Sequence, residues 1–336
     1  MTDAPIRTAV IGVGHMGRHH ARLYHELPQS RLIAVVDANR ARAEEMAQKY
    51  QAAALTSVDD LPADVQAVTV AVPTTYHREV TEKLLRRGVA VLVEKPIASS
   101  VEEAEAMLAC ARKAGAVLGV GHTERFNPVV RAIQRLEIRP KYIESQRISP
   151  FRFRSADIGV VADMMIHDID IILHLVKSRP VKVDAVGVNV LARHEDVANA
   201  RVVFENGAVA SLVASRLALK TDRRLRVFSE TAYLSLDYQR KNGIVITRDK
   251  NLDILALAKD RNLDDLGQMA DFDFGKMVNV EPLVVDDVEP LRAELESFLE
   301  SVRTGRPPAV SGEDGVDAVR LASEIVAAIQ AHRWDA

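Results

Sequence analysis

Three glycines near the start of the chain have the spacing of a phosphate-binding turn. Gly12, Gly14 and Gly17 form G-x-G-x-x-G directly after a short apolar run and at the start of a stretch with helical character. Glycines at this spacing permit a tight turn and the close approach of backbone to a pyrophosphate, and the following helix offers free N–H groups. The pattern predicts a dinucleotide site, with His15 and Met16 completing its loop.

An acidic residue completes the dinucleotide pattern. Asp37 follows the second apolar run, about 20 residues after the glycines, where a carboxylate accepts hydrogen bonds from the adenosine ribose and repels a 2'-phosphate. We therefore expect NAD as the cofactor. Arg40, just beyond the carboxylate, keeps NADP as the less favoured alternative.

A second group of reactive side chains lies on one predicted helix, residues 163–176. Asp163, His167, Asp170 and His174 have a spacing that places them on one helix face among apolar neighbours. For an isolated helix, a capped helix with satisfied core histidines is the first interpretation. A metal site of two carboxylates and two imidazoles is the alternative.

The first third of the chain alternates short apolar runs with helical stretches. This alternation predicts βαβ units and a parallel sheet with helices on both faces. Because ligands of such sheets bind beyond the carboxyl ends of the strands, Lys95, after the fifth strand, is expected near the nicotinamide. The predicted strands are residues 8–11, 32–36, 53–55, 67–72, 89–93 and 117–120.

The pattern changes near His122, where the remaining strand candidates alternate apolar and polar residues. Asn206-Gly207 between two of them is a strong hairpin signal, and tight turns between successive strands indicate a mostly antiparallel sheet in an α+β domain. Residues 249–289 are acidic without a clear period, and we expect a segment that covers a site, reaches another subunit or forms a surface loop. The predicted strands are residues 182–191, 200–204, 209–215, 224–228 and 233–237, and the closing helices are 290–304 and 312–332.

Length and composition limit the class of protein. The 336 residues suggest two domains, which we place at 1–123 and 124–336. A net charge of -3 with dispersed basic residues argues against general nucleic-acid binding. The single cysteine, Cys110, excludes an intrachain disulfide, and neither an export signal nor an apolar stretch of ~18 residues is present. We expect a cytoplasmic protein without a membrane span.

Three further segments, taken with the glycine motif, carry a family resemblance. In order, the motifs resemble the glucose-fructose oxidoreductase, inositol dehydrogenase and rhizopine catabolism family, Gfo/Idh/MocA. The resemblance covers nearly the whole chain. It implies a Rossmann domain joined to an α/β domain with an open-faced sheet, a homo-oligomer (tetramer or dimer) built through that sheet, and NAD(P)-dependent redox chemistry on sugars or polyols. The segments are Pro73-Thr74-Thr75-Tyr76-His77, Glu94-Lys95-Pro96, and Asp163 and His167 followed by Asp170.

The resemblance implies a catalytic role for residues that have a plainer interpretation in isolation. Lys95, otherwise a solvated loop lysine, is expected to hydrogen-bond the reacting oxygen and stabilise its developing negative charge. His167 is expected to accept the hydroxyl proton, which an unperturbed pKa of about 6.5 permits at neutral pH. Asp163 would orient a substrate hydroxyl or the imidazole, and His174 would be structural. The cofactor site is expected to include Pro73, Thr74, His77, Glu94 and Lys95.

Two segments, one across the predicted domain boundary and one beyond it, resemble the family branch that oxidises the 3-hydroxyl of UDP-N-acetylglucosamine, on a route to 3-amino sugars of lipid A or surface polysaccharide. They are Gly121-His122-Thr123-Glu124-Arg125-Phe126-Asn127-Pro128 and Pro150-Phe151-Arg152-Phe153-Arg154 with Asp157-Ile158-Gly159. Because guanidinium groups pair well with phosphate, Arg125 and Arg154 are expected at the pyrophosphate, with a sheet-edge or oligomer contact as the alternative. The expected substrate contacts are Lys95, Glu124, Arg125, Asn127, Arg154, Asp163 and His167.

Two other functions use the same sequence features. A dehydrogenase of a free sugar or of inositol would have the same redox residues. A non-catalytic NAD-binding regulator is disfavoured because Lys95, Asp163 and His167 are all present.

Overall fold

Two β-sheets organise the chain in a computed structural model that describes residues 4–136, 138–151, 158–248 and 278–334. The first sheet has six strands and the second has eight. No helix among the described residues is long and apolar enough to cross a membrane.

The first sheet is parallel throughout, and its strand order is β3-β2-β1-β4-β5-β6. Every residue of β4 and β5 is buried, as expected for strands covered by helices on both faces. The predicted parallel sheet is confirmed. The order reverses between β1 and β4, which is where ligands of such sheets bind. The strands are β1 (Ile6–Ile11), β2 (Ser30–Val36), β3 (Ala53–Leu55), β4 (Ala67–Val70), β5 (Ala90–Glu94) and β6 (Leu118–Gly121).

Helices connect these strands, and the first helix begins differently from two of the others. The side chain of Asn39 caps α2 and that of Ser100 caps α4. By contrast, Met16 precedes α1 and provides no side-chain cap. No side chain therefore occupies the start of α1, where an anion could bind. The helices are α1 (Gly17–Glu26), α2 (Arg40–Tyr50), α3 (His77–Arg86) and α4 (Val101–Ala114), with single 3-10 turns at Val58–Asp60, Thr74–Tyr76 and Thr123–Phe126.

The second sheet has the order β14-β13-β12-β11-β7-β10-β9-β8, and only the β7–β10 pair is parallel among its described pairings. The mostly antiparallel sheet is thus confirmed, as is the hairpin at Asn206-Gly207, where Gly207 has a φ of 84°. The strands are β7 (Tyr142–Ile148), β8 (Pro180–Val188), β9 (Val197–Phe204), β10 (Val209–Ser215), β11 (Asp222–Phe228), β12 (Ala232–Asp237), β13 (Asn242–Arg248) and β14 (Val278–Pro282).

Strand β7 has no counterpart among the predicted strands, although it lies inside the sheet. Its inward positions are Ile143, Ser145 and Arg147, so the apolar alternation that identifies a half-buried strand is missing. Strands β13 and β14 were also not predicted. Strand β14 lies in the segment 249–289, of which 249–277 are outside the described residues.

The second sheet has one covered face and one open face. Helices α6 (Ile166–Val176) and α8 (Gly312–Ala331) pack on the covered face. On the open face, the rings of Tyr142 and Phe228 are 5.6 Å apart and those of Phe228 and Tyr233 are 4.8 Å apart. The side chains of this face are only partly buried.

The predicted helix 163–176 begins earlier than expected and with a wider turn. A π-helical segment, Val161–Met165, precedes α6. Glu195 Oε1 accepts the N–H of Val161 at 3.2 Å, and a Cβ on Gly159 would lie 2.0 Å from that oxygen. Gly159 therefore gives Glu195 access to the start of the segment. Single π turns occur frequently at functional sites.

The C-terminal helices match their predicted bounds to within one residue, and the first of them packs on the first sheet. Helix α7 (Pro290–Thr304) buries Leu295, Phe298 and Leu299 in the same cluster as Val10 and Leu23 of the first domain. The chain thus returns to the Rossmann sheet after completing the second sheet, and the division 1–123 and 124–336 stays a prediction. The remaining helix, α5 (Pro128–Gln134), lies between β6 and β7 in sequence.

Candidate functional site

A cleft of about 600 Å³ lies between the first sheet and the second. Glu94 at the end of β5 and Gly121 at the end of β6 line one side, and Arg147 of β7 lines the other. The cleft thus opens at the carboxyl ends of the parallel strands, as predicted. The predicted residues that line it are His15, Met16, Glu94, Lys95, Glu124, Asn127, Asp163 and His167.

The glycine loop fits a dinucleotide. Gly12 has a φ of +86°, and a Cβ there would lie 2.7 Å from the Ala71 carbonyl oxygen; a Cβ on Gly17 would lie 1.7 Å from the Gly12 oxygen. A Cβ on Gly14 would meet nothing within 4 Å. Gly12 and Gly17 are therefore required by the fold, whereas Gly14 leaves open the space into which a pyrophosphate would fit.

The loop lies between the cleft and a second crevice of about 390 Å³. Val13, Gly14 and Arg18 line this crevice, and His15 lines both spaces. An extended molecule could therefore pass over the glycine loop from one space to the other. The N-terminal end of α1 faces the same loop and would favour negative charge there.

Asp37 is held beside the glycine loop by backbone hydrogen bonds. Its Oδ2 accepts the N–H of Val13 at 3.0 Å, and its Oδ1 accepts the N–H of Asn39 at 2.8 Å. Arg40, by contrast, has an 81% exposed side chain and pairs with Glu44 of its own helix at 3.1 Å. This geometry supports a carboxylate that accepts ribose hydroxyls in preference to a site for a 2'-phosphate.

Lys95 and Asp163 meet in the cleft. The Lys95 Nζ donates a hydrogen bond to the Asp163 backbone oxygen at 2.6 Å and lies 3.5 Å from the Asp163 Oδ1. Burial lowers the pKa of Lys95, while the charges of Asp163 and Glu94 oppose that effect. The ammonium group is thus a stronger acid than an exposed lysine, which suits donation to an oxygen that gains negative charge.

His167 lines the cleft one turn after Asp163. Burial lowers its pKa well below the ordinary value, and the positive charges of Lys95 and Arg147 lower it further. The pKa of His167 therefore lies below the unperturbed value of about 6.5. The ring is neutral at neutral pH and is able to accept a proton there. Its buried Nδ1 has no hydrogen-bond partner among the described residues.

A network of ion pairs forms the wall of the cleft on the second sheet. Arg147 donates to Asp168 at 2.8 and 3.0 Å and to Glu124 Oε1 at 3.1 Å. Arg223, opposite Arg147 in the β7–β11 register, donates to the same Glu124 oxygen at 3.2 Å. Although burial raises the pKa of Glu124, Arg147 and Arg223 hold it below its usual range. Asn127 donates to the other Glu124 oxygen at 3.1 Å.

A second buried pair positions another arginine of the cleft. Arg216 donates from Nε to Asp196 Oδ1 at 2.6 Å and from Nη1 to the Ile158 oxygen at 2.7 Å. Although burial raises the pKa of Asp196, hydrogen bonds from backbone N–H groups and from Arg216 lower it to about 2. Sequence reasoning missed three cleft arginines, at positions 147, 216 and 223. Arg147 and Arg223 lie on strands and Arg216 directly follows β10, and the sequence does not display how these strands pair.

Arg125 does not line the cleft, which corrects its predicted role at the pyrophosphate. Its side chain is 4% exposed, and its Nε donates to Asp170 Oδ2 at 3.0 Å. The Arg125 Nη1 donates to His174 Nδ1 at 3.0 Å. The expected polar stripe therefore divides, with Asp163 and His167 in the cleft and Asp170 and His174 on Arg125. Arg154 lies outside the described residues.

The same division argues against the metal alternative. Two of the four ligands that it needs are already engaged by a guanidinium group. Within the described ranges, no group of three or more His, Cys, Asp or Glu side chains is arranged to hold a metal ion.

His77 supports the cofactor-side loops from beneath, which corrects its predicted cofactor contact. It is 1% exposed, and its Nδ1 and Nε2 each lie 2.9 Å from a carbonyl oxygen, of Pro96 and Val72 respectively. Pro73 precedes the 3-10 turn after β4 and Thr74 begins it, and neither residue lines the cleft. Their contact with a cofactor stays a prediction.

Beneath the cleft lies a carboxyl group that the sequence did not single out. Glu294 of α7 is 2% exposed, and its Oε2 accepts the Thr123 hydroxyl at 3.0 Å. Burial, with the negative charge of Glu94 nearby, raises the pKa of Glu294 well above its usual range. Glu294 is therefore the uncharged member of this pair of neighbouring carboxyls.

Comparisons with known proteins cover both domains. Residues 6–122 match a family model described as an oxidoreductase family with an NAD-binding Rossmann fold, and residues 135–235 match the GFO/IDH/MocA C-terminal domain. The chain is 35% identical to a UDP-N-acetylglucosamine 3-dehydrogenase of Acidithiobacillus ferrooxidans, over 97% of this chain and 98% of that protein. It is 26% identical to an inositol 2-dehydrogenase of Rhizobium meliloti, over 98% of each.

The fold agrees with a solved structure of the same Acidithiobacillus ferrooxidans enzyme. The two structures align with a TM-score of 0.86 and 34% sequence identity, over 97% of this chain and 98% of that one. The resemblance drawn from the motifs and the expected fold class are thus confirmed.

Proposed function

This chain belongs to the GFO/IDH/MocA oxidoreductase family, and we propose that it oxidises the 3-hydroxyl of UDP-N-acetylglucosamine to the 3-keto nucleotide sugar, with NAD as the cofactor. One observation carries the choice of substrate. The similarity to a UDP-N-acetylglucosamine 3-dehydrogenase is 35% in identity and extends over 97% of this chain, including the second sheet.

The cleft supports a division of roles between two side chains. NAD, when bound, supplies the acceptor for a hydride. His167, neutral and partly buried, takes the proton of the reacting hydroxyl at a ring nitrogen. Lys95, made more acidic by burial, donates a hydrogen bond to the same oxygen as its negative charge grows. Asp163 holds the Lys95 ammonium group through its backbone oxygen and its carboxylate.

The residues proposed to hold the cofactor are those of the glycine loop and Asp37, whose carboxylate would bind the ribose. Gly14 leaves room for the pyrophosphate, and the uncapped first turn of α1 faces it. The Asp37 carboxylate, fixed by Val13 and Asn39, accepts ribose hydroxyls. Glu94 and Lys95 line the cleft on the side of β5.

For the substrate diphosphate, the cleft offers arginines other than Arg125. Arg223 lines the cleft with a side chain that is 38% exposed, and we propose it as a phosphate contact. Arg154 remains proposed from the sequence. Glu124 and Asn127 act through the wall network, where Glu124 sets the position of the Arg223 guanidinium.

The product fits a place in the synthesis of 3-amino sugars, because a 3-ketone is the group that an aminotransferase converts to an amine. We propose such a role in the cytoplasm, for lipid A or surface polysaccharide. We also propose that a second copy of the chain covers the open face of the second sheet, in a dimer or tetramer. The exposed Val280 and the aromatic residues Tyr142, Phe228 and Tyr233 support that arrangement.

A substrate panel tests the proposal directly. The purified protein is mixed with NAD and, separately, UDP-N-acetylglucosamine, N-acetylglucosamine or myo-inositol, and NADH absorbance is followed with a hydrazine trap for the ketone. We expect reduction with the UDP-sugar alone. Faster reduction with inositol would favour the free-polyol alternative, and NAD binding without turnover on any substrate would favour a regulator.

Replacing Arg223 separates the substrate assignment from the enzyme class. Arg223→Ala should raise the KM for the UDP-sugar roughly 10- to 100-fold, because a lost charge-assisted hydrogen bond costs about 1.5–3 kcal/mol. Arg224→Ala, on the same strand and half exposed, is the matched control. An unchanged KM in Arg223→Ala would remove that residue from the diphosphate site without affecting the enzyme class.

A further inference from the structure

Four buried polar side chains form a continuous hydrogen-bonded chain inside the first domain. The Tyr24 hydroxyl lies 3.0 Å from Thr69 Oγ1, and Thr69 Oγ1 lies 3.2 Å from His20 Nδ1. The His20 Nε2 lies 2.8 Å from Glu94 Oε1. Tyr24, Thr69 and His20 have no exposed surface, and Glu94 is 8% exposed. The chain therefore connects the interior of the domain to the cleft through Glu94 alone.

The hydrogens of this chain can be assigned by what each end requires. Although burial raises the pKa of the Glu94 carboxyl, its hydrogen bond with His20 and the charge of Lys95 hold it below its usual range. The ionised carboxylate only accepts, so the His20 Nε2 donates. Burial raises the pKa of Tyr24, which therefore keeps its hydroxyl hydrogen.

Only one arrangement gives an acceptor to every hydrogen of this hydrogen-bonded chain. Within the described part of the molecule, Thr69 is the only hydrogen-bond partner of the Tyr24 hydroxyl. Tyr24 must therefore donate to Thr69, since its buried hydrogen would otherwise have no acceptor. Thr69 in turn donates to His20 Nδ1, and His20 donates to Glu94. All three donors point toward the cleft, and Tyr24 at the far end has no route to solvent.

We propose that His20 is a positioning residue, which fixes one oxygen of Glu94 so that the rest of the carboxylate stays against Lys95. The second oxygen, Glu94 Oε2, accepts the backbone N–H of Lys95 at 3.3 Å. Glu94 thereby holds Lys95 by a hydrogen bond and by its negative charge. The hydrogen-bonded chain ends in the interior of the domain, so it orients the Glu94 carboxylate and does not conduct protons. This inference rests on the proposed role of Lys95.

The charges around Lys95 give the inference a measurable consequence. Asp163 and Glu94 raise the pKa of Lys95, and burial and Arg147 lower it. Without the His20 hydrogen bond, burial would favour the protonated form of Glu94. Loss of that negative charge would lower the pKa of Lys95. A purely structural role for His20 would alter stability without moving this titration.

Replacing His20 with Gln or with Asn distinguishes the roles of its two ring nitrogens. Gln places its amide nitrogen near the position of Nε2, so His20→Gln keeps a donor to Glu94. Asn places its amide near Nδ1, so His20→Asn loses that donor. We expect His20→Asn to lower kcat by roughly 10- to 100-fold, as small misplacements of reacting groups do, and His20→Gln to stay within about threefold of the wild type.

The independent readout is the titration of Lys95, followed by NMR of 13C-labelled lysine side chains and assigned with Lys95→Met. The Lys95 pKa should be lower in His20→Asn than in His20→Gln, in protein without substrate. Equal Lys95 pKa values in the two variants would overturn the inference. Activity retained by Lys95→Met would instead refute the proposed role of Lys95, and the NMR comparison would still decide the role of His20.

A second pair of variants covers the case in which His20→Asn does not fold. Thr69→Val removes the donor to His20 Nδ1, whereas Tyr24→Phe leaves that donor in place. We expect Thr69→Val to lower the Lys95 pKa and Tyr24→Phe to leave it unchanged. Identical Lys95 titrations in these two variants would also contradict the inference.

Discussion

The two sides of the cleft are built by different means. On the Rossmann side, the proposed cofactor contacts come largely from backbone: an open space at Gly14, an uncapped helix start and a carboxylate held by two N–H groups. On the second sheet, side chains form the wall, and Arg147 and Arg216 are each held by a buried carboxylate. Backbone recognition depends on a short local motif, whereas the opposite wall depends on strands that are distant in sequence.

The difference has an energetic counterpart. A loop that binds through backbone groups loses little binding free energy when one side chain is changed, provided that the glycines remain. A wall of buried ion pairs is more fragile, because removal of one partner leaves the other charge buried and unpaired. Lys95 and His167 belong to opposite sides of the cleft, and their joint action tests whether the two sides work together.

The largest expected effect is on catalysis. Lys95→Met and His167→Asn should each lower turnover by roughly 10²–10⁴-fold with little change in NAD affinity, because both groups act mainly in the transition state. Their combined effect should be less than additive. Steady-state kinetics with UDP-N-acetylglucosamine and NAD titrations measure both quantities. Full activity in His167→Asn would make Asp163 the next candidate for the base.

The pH profile sharpens the same test. Because the pKa of His167 is well below its ordinary value, wild-type activity should fall only on the acid side of about 6.5, as the ring gains a proton. That acid limb should be missing in His167→Asn. A wild-type profile that rises through neutral pH, and a similar rise in the variant, would contradict this assignment.

Stability should be most sensitive on the side of the second sheet. Arg147→Met keeps the length of the side chain but leaves Asp168 buried without its partner, which should cost about 3–5 kcal/mol of unfolding free energy. Arg224→Met, which breaks a half-exposed pair with Asp222, should cost less than about 1 kcal/mol. Urea denaturation measures both. Equal losses of unfolding free energy would show that the buried ion pair stabilises the fold no more than the half-exposed pair does.

A smaller effect, on cofactor binding, is expected from changing the Asp37 carboxylate. Asp37→Ala should weaken NAD binding roughly 10- to 100-fold and narrow the preference over NADP, because it removes a charged acceptor and the charge that repels phosphate. Arg40→Ala should change NAD binding little, since Arg40 pairs with Glu44. Fluorescence titration with both cofactors measures the ratio. A wild type that binds NADP more tightly than NAD would refute the choice of cofactor.

A pH-dependent effect on stability concerns the uncharged carboxyl beneath the cleft. Folding raises the pKa of Glu294, so its stabilising contribution is complete only below the unfolded pKa of about 4.3 and is lost as pH rises toward the folded value. The loss is about 1.4 kcal/mol per pH unit. Glu294→Gln should therefore be more stable than the wild type at neutral pH, by a margin that shrinks toward pH ~4.3.

Thermal unfolding from acid to neutral pH measures this margin. Glu300→Gln, on an exposed position of the same helix, is the control and should not change the pH dependence. A pH-independent difference between Glu294→Gln and the wild type would mean that Glu294 is ionised in the folded protein.

Much of the nucleotide side was determined by the sequence alone. The glycine spacing, the apolar strands and Asp37 are local features, and local periodicity decides which face of a strand or helix is buried. The family motifs extended this to Lys95, Asp163 and His167, all of which line the cleft. These assignments were possible because each residue lies at a fixed place relative to a recognisable strand or helix.

Only the tertiary structure decided which polar residues face the cleft and which are consumed in the interior. Arg125 and Arg147 are both buried arginines, yet Arg125 pairs with Asp170 away from the cleft, and Arg147 lines it. Strand β7, which carries Arg147, has no apolar alternation and pairs with a strand more than 60 residues away. Ion pairs and strand register join residues distant in sequence, so spacing along the chain does not determine them.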